Sequence, residues 1–288
     1  MESKFDKGIT LSNYYIDQLL SKYGLQDANP VSTPMDVSVK LDDPEEKSDE
    51  EKSSSISKFR YANLIGSLMY LAIATRPDIA YSVNKLAQYT SAPKNKHWTA
   101  VKQLFRYLKG SKYSELVYGG SPELINSKLN IYCDADWASD LDRKSISGYV
   151  ITIAGGAVAW SSKKQTTVAL STPEAKYIAA AHVARQALWH RSLLQELNFP
   201  LSMPSIIFSD NQSAISIAHH PKFHARTKHI DITIHFLQDH VQKGILDLFY
   251  INTDYNIVDI FTKPLWKPTH QNFTYELGVI SNQGGVLG

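Results

Sequence analysis

The fold is decided by the stretch Leu129-Asn130-Ile131-Tyr132-Cys133-Asp134, an extended apolar run that ends on an aspartate. A second run, Ile206-Ile207-Phe208-Ser209, likewise ends on Asp210, and Asp259 follows the run Tyr250-Ile251-Asn252-Thr253. Carboxylates at the ends of neighbouring strands can converge on one point, where they bind divalent cations. The three aspartates therefore indicate metal-assisted phosphodiester chemistry.

Length and composition restrict the class of protein. A chain of 288 residues is long enough for about two domains with a substantial core. Its net charge of +2 gives no global attraction for nucleic acid, so any such site must come from local clusters. The single cysteine, Cys133, excludes internal disulfides and cysteine-rich zinc sites and fits a reducing compartment. Without a secretory signal or an apolar run of about 20 residues, we expect a soluble intracellular protein, in the cytoplasm or the nucleus, with no membrane partner.

From Leu129 onward, the pattern predicts an α/β domain. Three strands in a meander precede a long helix, and strands and helices then alternate. This order is typical of a mixed five-stranded sheet with flanking helices. The predicted strands are 129–135, 147–154, 157–162, 205–209 and 246–252, and the predicted helices are 173–197, 211–219, 227–242 and a last one from 256.

The chain before Leu129 contains segments of clearly different composition. Residues 37–58 are rich in Asp and Glu, so we expect an acidic flexible linker there. Apolar residues at helical spacing predict a small, mostly helical module at 59–112. We assign the α/β domain to 128–270 and a disordered tail to the glycine-rich end, 281–288.

Short sequence motifs are spread over most of the chain. They are Leu64–Leu71 (LIGSLMYL), Thr75–Ala80 (TRPDIA), Tyr132–Ala138 (YCDADWA), Arg143–Tyr149 (RKSISGY), Trp160–Gln165 (WSSKKQ), Asp210–Ala214 (DNQSA), Arg226–Asp231 (RTKHID) and Asp259–Lys263 (DIFTK). Together, and in this order, they resemble the end of the Pol polyprotein of copia-type LTR retrotransposons. The resemblance implies a terminal reverse-transcriptase segment at 1–36, a thumb- or connection-like remnant at 59–112 and a ribonuclease H-like domain at 128–270.

The resemblance also limits which activity is expected. A polymerase needs palm carboxylates, including a Tyr-x-Asp-Asp hairpin, and nothing before Leu129 supplies them. We therefore expect no polymerase activity from this chain. An upstream reverse-transcriptase palm becomes a candidate partner.

By resemblance, the domain at 128–270 is a two-metal ribonuclease. Proteins of this fold use four carboxylates to hold two Mg²⁺ ions, with Mn²⁺ as an alternative, and cut the RNA strand of an RNA-DNA hybrid. Motif position makes Asp134, Asp210 and Asp259 both catalytic residues and metal ligands. Asp136 shares a strand face with Asp134, so it is either a further ligand or a turn or capping residue.

The fourth carboxylate is where the chain departs from the family pattern. Relatives carry two glutamates in a Thr-Glu-Ala-Glu-Tyr type motif, and the second matches the catalytic glutamate; this chain has Lys176 in its place. At about 100° per residue, Lys176 falls on the helix stripe that faces the sheet and Glu174 on the stripe that faces water. Glu174 is thus either a first-turn residue favoured by the helix dipole or a catalytic substitute brought in by a local shift.

An ammonium at this position repels a metal ion as well as removing a ligand. At about 4 Å and an effective dielectric constant near 20, a unit charge repels a divalent ion by roughly 8 kcal/mol before relaxation. Movement or deprotonation of the lysine lowers that cost. We expect weakened metal binding and impaired cleavage. Two functions remain open: a ribonuclease H with weak activity, and a folded, catalytically inactive remnant that binds nucleic acid.

Basic side chains near the proposed site are candidates for contacts with the hybrid. Each alone is typical of a solvated charge, but together they form a credible phosphate-tracking face. His229 is either a proton shuttle near the cut phosphate or a packed helix residue. The histidines between 219 and 229 have no recognised zinc spacing. The candidates are Arg143, Lys144, Lys163, Lys164, Arg226, Lys228 and His229.

Overall fold

The computed structural model divides the chain into two compact units. One runs from Tyr118 to Thr262, and the other joins Ile9–Val117 to the residues from Lys263 onward. We call the first the sheet unit and the second the helical unit. The structure describes residues 8–12, 14–42, 58–119, 129–138, 142–219 and 231–281.

Helices with one apolar face form most of the helical unit. Apolar side chains recur at helical spacing in the helix that starts at Lys58, so Tyr61, Leu64 and Leu68 are buried. Pro77 starts a short 3₁₀ turn, where a missing backbone N–H costs no hydrogen bond. The elements before Tyr118 are β1 (Ile9–Leu11), α1 (Tyr15–Tyr23), α2 (Lys58–Ala74), α3 (Ala80–Ala87), α4 (Asn95–Gly110) and β2 (Ser114–Tyr118).

The described start of the predicted acidic linker packs against the helical unit. Leu41 is buried. Asp42 forms an ion pair with Lys85, whose Nζ lies 2.7 Å from the carboxylate. Leu41 and Asp42 thus both have partners in the unit, whereas the flexibility expected of 37–58 stays a prediction. The next part of the predicted linker, 43–57, lies outside the described residues.

Five strands form the sheet at the centre of the sheet unit. They are β3 (Asn130–Asp136), β4 (Ile146–Ile153), β5 (Gly156–Lys164), β6 (Ser205–Ser209) and β7 (Leu246–Tyr250). The first three pair antiparallel, whereas β3, β6 and β7 pair parallel, which gives the order β5-β4-β3-β6-β7. The helices are α5 (Thr172–Glu196), α6 (Gln212–His219), α7 (Asp231–Gln242) and α8 (Asp259–Thr262). The predicted mixed five-stranded sheet with flanking helices is thus confirmed.

The core of the sheet unit lies between the sheet and helices α5, α6 and α7. Ile131 and Cys133 point into it from β3, and strand alternation turns Asp134 to the other face. Small residues of α5 such as Ala184 and Ala187 let this helix lie close to the sheet. Cys133 is a free, buried thiol, and burial raises its pKa.

The last elements of the sheet unit differ slightly from the prediction. Strand β7 ends two residues early, because the Asn252 side chain accepts a 3.0 Å hydrogen bond from the backbone N–H of Asp254 and begins a 3₁₀ turn. The helix predicted from 256 begins at Asp259, which makes this aspartate the first residue of α8. Helix α7 is described from Asp231, and its predicted start at 227 lies outside the described residues.

The C-terminal segment belongs to the helical unit. It contains α9 (Lys267–Glu276) and β8 (Val279–Ser281). Strand β8 pairs antiparallel with β2, with Leu116 opposite Val279, and β1 lies on the other side of β2. Helix α9 contacts the 3₁₀ turn at Pro77–Ile79. The rest of the predicted tail, 282–288, lies outside the described residues.

Candidate functional site

Two of the predicted aspartates lie side by side at one end of the sheet. β3 and β6 are parallel neighbours, with Tyr132 opposite Phe208. Continuing this register by two residues brings Asp134 level with Asp210. Their side chains are only 5% and 6% exposed. Two carboxylates so little hydrated need a cation between them.

Lys176 supplies that cation. Its Nζ lies 2.9 Å from Asp134 Oδ1 and 2.6 Å from Asp210 Oδ1. The lysine extends from the second turn of α5, whose N-terminus begins at Thr172. Helix periodicity predicts that Lys176 faces the site, and its amine lies between the two aspartates.

The charge of Lys176 is maintained by its neighbours. Burial opposes the charged form, but the Coulombic attraction of Asp134 and the hydrogen bonds to Asp210 and Asp134 outweigh it, so the pKa of Lys176 is raised above its usual value. Lys176 is therefore accommodated in the site with its proton retained. The site contains an ammonium held by two carboxylates.

Two threonine hydroxyls contact the remaining oxygens of these aspartates. Thr253 Oγ1 donates to Asp210 Oδ2 at 3.0 Å, and Thr262 Oγ1 donates to Asp134 Oδ2 at 3.2 Å. Neither threonine is predicted as a site residue from the sequence, because they lie 43 and 128 positions from their partners. The one available signal was the place of Thr262 in the DIFTK motif. Both oxygens of Asp210 thus accept hydrogen bonds, whereas Asp134 Oδ1 has the ion pair with Lys176 and no hydrogen bond among the described contacts.

Asp259 approaches the same region through helix α8. It is buried, and its backbone carbonyl lies 3.3 Å from Thr262 Oγ1, the hydroxyl that contacts Asp134. Gly148 makes this approach possible, since it lies opposite Asp134 in β4 and a Cβ there would lie 2.9 Å from side-chain atoms of Phe261 and Thr262. Any larger residue at 148 would push α8 away from the sheet.

Glu174 lies in the first turn of α5 and binds the end of its own helix. Its carboxylate accepts a 3.0 Å hydrogen bond from the backbone N–H of Leu170, and its own N–H donates to Ser171 Oγ at 3.4 Å. The expectation that Glu174 faces water is wrong: the side chain folds back over the helix terminus and is buried. Of its two predicted roles, the first-turn role fits these contacts.

The chain is similar in sequence to retrotransposon polyproteins. It is 39% identical to the retrovirus-related Pol polyprotein from transposon TNT 1-94 of Nicotiana tabacum, over 86% of this chain and 18% of that protein. It is 38% identical to those from transposons RE2 and RE1 of Arabidopsis thaliana, over 98% and 92% of this chain and 19% and 18% of the relatives. Over most of its length, the chain thus matches one segment of copia-type retrotransposon Pol polyproteins. It spans less than a fifth of the length of these relatives.

Two solved structures of LC11-RNase H1 are similar to this chain. The enzyme isolated from compost is 17% identical, with a TM-score of 0.35, over 47% of this chain and 93% of that one. Its complex with an RNA/DNA hybrid gives 15% identity and a TM-score of 0.33, over 45% and 88%. No family model matches the sequence. Among the helices that the structure describes, none has the length and apolar character needed to cross a membrane.

The site around Asp134 and Asp210 does not fit divalent ions as it stands. The ammonium of Lys176 takes the place between Asp134 and Asp210 where the family resemblance implies a metal. Within the described part of the chain, no three His, Cys, Asp or Glu side chains come close enough together to hold a metal ion. A divalent ion about 4 Å from the ammonium would meet a repulsion of roughly 8 kcal/mol. With Lys176 in this position, its ammonium therefore opposes the binding of the expected Mg²⁺ pair.

Four of the predicted nucleic-acid contacts lie at the end of the sheet that carries the aspartates. Ile146, the first residue of β4, is opposite both Asp136 and Lys164, so the loop before β4 and the end of β5 share this edge. Lys164 is partly neutralised there by a 2.9 Å ion pair with Asp142. The candidates at this edge are Arg143, Lys144, Lys163 and Lys164, whereas Arg226, Lys228 and His229 lie outside the described residues.

One member of the histidine cluster is described. His219 Nε2 lies 2.8 Å from Asp247 Oδ1, in a surface pair that joins α6 to β7. The other members, His220, His224 and His229, lie outside the described residues.

Proposed function

We propose that this chain is a retrotransposon-derived ribonuclease H domain that binds the RNA-DNA hybrid but cuts its RNA strand weakly or not at all. The observation that carries the proposal is the position of the Lys176 ammonium, within hydrogen-bonding distance of both Asp134 and Asp210. The two-metal hydrolysis expected of the family needs this space for divalent ions. In this chain, the Lys176 ammonium occupies that space.

The sheet edge beside the aspartates supports the choice of substrate. Arg143 and Lys163 are exposed at this edge, next to Lys144 and Lys164. A cluster of this kind attracts phosphates even though the net charge of the chain is only +2. The edge therefore offers a surface for a nucleic-acid backbone beside the strand-end carboxylates. We assign no DNA synthesis to the chain, because its sequence has no Tyr-x-Asp-Asp hairpin.

The proposal is tested by restoring the glutamate of the family motif. We expect Lys176→Glu to raise Mg²⁺-dependent cleavage of a labelled RNA-DNA hybrid by about 100-fold or more, because one group that stabilises charge in a transition state changes rates by about 10²- to 10³-fold. The substitution removes the ammonium and returns a carboxylate to the same helix position. The measurement is the initial rate of RNA-strand cleavage, resolved by gel electrophoresis.

Two further variants make the result specific. In the Lys176→Glu protein, Asp210→Asn should abolish the regained activity, which excludes a contaminating nuclease. In the same protein, Glu174→Gln should leave the rate within about twofold, because Glu174 binds the helix terminus. The proposal is wrong if the natural chain cuts the hybrid as fast as Lys176→Glu and loses that activity with Asp210→Asn.

A further inference from the structure

Lys176 joins three elements of the sheet unit at one point. It extends from α5 and contacts the ends of β3 and β6 through Asp134 and Asp210. Its side chain is 13% exposed, so solvent screens these contacts only weakly. The ammonium is the cation that the structure shows between the two strand-end carboxylates.

Removing this cation leaves the carboxylates in an unfavourable state. Asp134 and Asp210 would face each other across two parallel strands with little water to screen them. The hydroxyls of Thr253 and Thr262 stabilise each carboxylate singly but carry no charge. Buried charges that lose their partner are strongly destabilising.

We infer that Lys176 is a built-in counter-ion that frees the fold from divalent cations, and that its removal turns the carboxylate pair into a divalent-cation site. This inference rests on the proposed function, in which Lys176 keeps divalent ions out. The ligand class of the uncovered site is a hard divalent cation such as Mg²⁺, Mn²⁺ or Ca²⁺, since carboxylate and hydroxyl oxygens are the ligands these ions prefer.

The test compares the thermal unfolding of the full chain with and without divalent cations. Samples contain EDTA, MgCl₂, MnCl₂ or CaCl₂ at matched ionic strength, because salt alone screens surface charges. We expect the Tm of the natural chain to change by less than about 1 °C. We expect Lys176→Met to unfold at a lower temperature in EDTA and to regain about 5 °C with millimolar divalent cation.

Matched variants test whether the response to divalent cations depends on the positive charge at position 176. Lys176→Arg keeps the charge and should stay insensitive to divalent cations. Lys176→Met combined with Asp210→Asn should lose the response, because one carboxylate of the pair is gone. Lys243→Met removes an exposed lysine that pairs with Asp239 and should give no response.

Each outcome decides the inference. The inference is overturned if divalent cations raise the Tm of the natural chain by several degrees. It is also overturned if Lys176→Met folds but shows no change in Tm with divalent cations, or if it stays unfolded in their presence. A Lys176→Met protein that folds only with divalent cation supports it. The samples contain no nucleic acid, so the result does not depend on whether the chain binds or cuts a hybrid.

Discussion

At the scale of single residues, Thr262 links two elements of the site. It is fully buried, and its hydroxyl lies within hydrogen-bonding distance of both the Asp134 carboxylate and the Asp259 carbonyl. A hydroxyl that donates to a charged acceptor contributes more to stability than one between neutral groups. Thr262 therefore fixes α8 to the end of β3 through one side chain.

Replacing Thr262 with valine keeps its shape and removes the hydroxyl. We expect Thr262→Val to lower the free energy of unfolding by about 2 kcal/mol, because a buried carboxylate loses a donor. Urea denaturation followed by circular dichroism measures this change. Thr99→Val is the control, since Thr99 is an exposed helix residue whose hydroxyl bonds only the Asn95 carbonyl in the described contacts. Equal losses in both variants would contradict the role given to Thr262.

The sequence predicts single residues of the site unevenly. Asp134 and Asp210 are accessible to prediction, because each ends an apolar run and parallel strands bring such ends together. The location of Lys176 follows from helix periodicity. Its contact with both aspartates does not, because that depends on how a long side chain crosses between two strands. Glu174 was placed on the solvent side, since periodicity takes no account of a side chain that folds back over a helix terminus.

At the scale of elements, helix α9 and the 3₁₀ turn at Pro77–Ile79 share a buried polar network. Asp78 accepts hydrogen bonds from Arg76 and from the Tyr107 hydroxyl, and His270 Nε2 lies 3.3 Å from the Asp78 carbonyl oxygen. Burial lowers the pKa of His270, although the nearby Asp78 opposes this effect. The histidine is therefore neutral in the folded helical unit at neutral pH.

The lowered pKa of His270 predicts a loss of stability in acid. The unfolded chain takes up a proton near pH 6.5, whereas the folded chain resists it, so the free energy of unfolding falls as pH drops from 6.5 through the folded-state pKa. We expect His270→Gln to show a smaller slope of this free energy between neutral pH and about pH 5. Urea denaturation at several pH values measures the slope.

The comparison with His270→Gln isolates one histidine. His97 and His182 also have lowered pKa values, because burial disfavours their charged forms, and they titrate in the two proteins alike. The slope difference therefore reports His270. Identical slopes in the natural chain and the variant would show that His270 gains its proton as easily in the fold as in the unfolded chain.

The sequence predicts helices and strands well where apolar residues repeat over a long stretch. It predicts poorly the pairings between segments that are distant in sequence. The helix at 172–196 and the strands of the five-stranded sheet follow from repeating apolar positions. The pairing of β2 with β8 does not, because it joins residues more than 160 positions apart and both strands are short. The close packing of α8 depends on Gly148, whose role is visible only when the opposite strand and helix are in place.

At the scale of the whole molecule, the C-terminal segment completes a unit that begins near the N-terminus. Phe273 and Leu277 are buried in it, and α9 contacts β8, which in turn pairs with β2. The stability of residues 114–118 therefore depends on side chains that lie far away in sequence.

Hydrogen exchange can test this dependence. Phe273→Ala should cost about 3–5 kcal/mol, as truncation of a buried aromatic residue typically does. We expect faster amide exchange in Ser114–Tyr118, measured by mass spectrometry. Tyr275→Ala, on an exposed position of the same helix, should leave exchange in that strand nearly unchanged. Unaltered exchange in Ser114–Tyr118 with Phe273→Ala would contradict the packing.

The pairing of β2 with β8 also determines the order in which a nascent chain can fold. All five strands of the large sheet have been synthesised once Tyr250 has been added, whereas Ser114–Leu116 must wait for Val279–Ser281. Domains usually fold in the order of their synthesis, N-terminal first. Here the helical unit is begun first and completed last. Its early helices therefore remain without strand β8 while the site around Asp134 can already assemble.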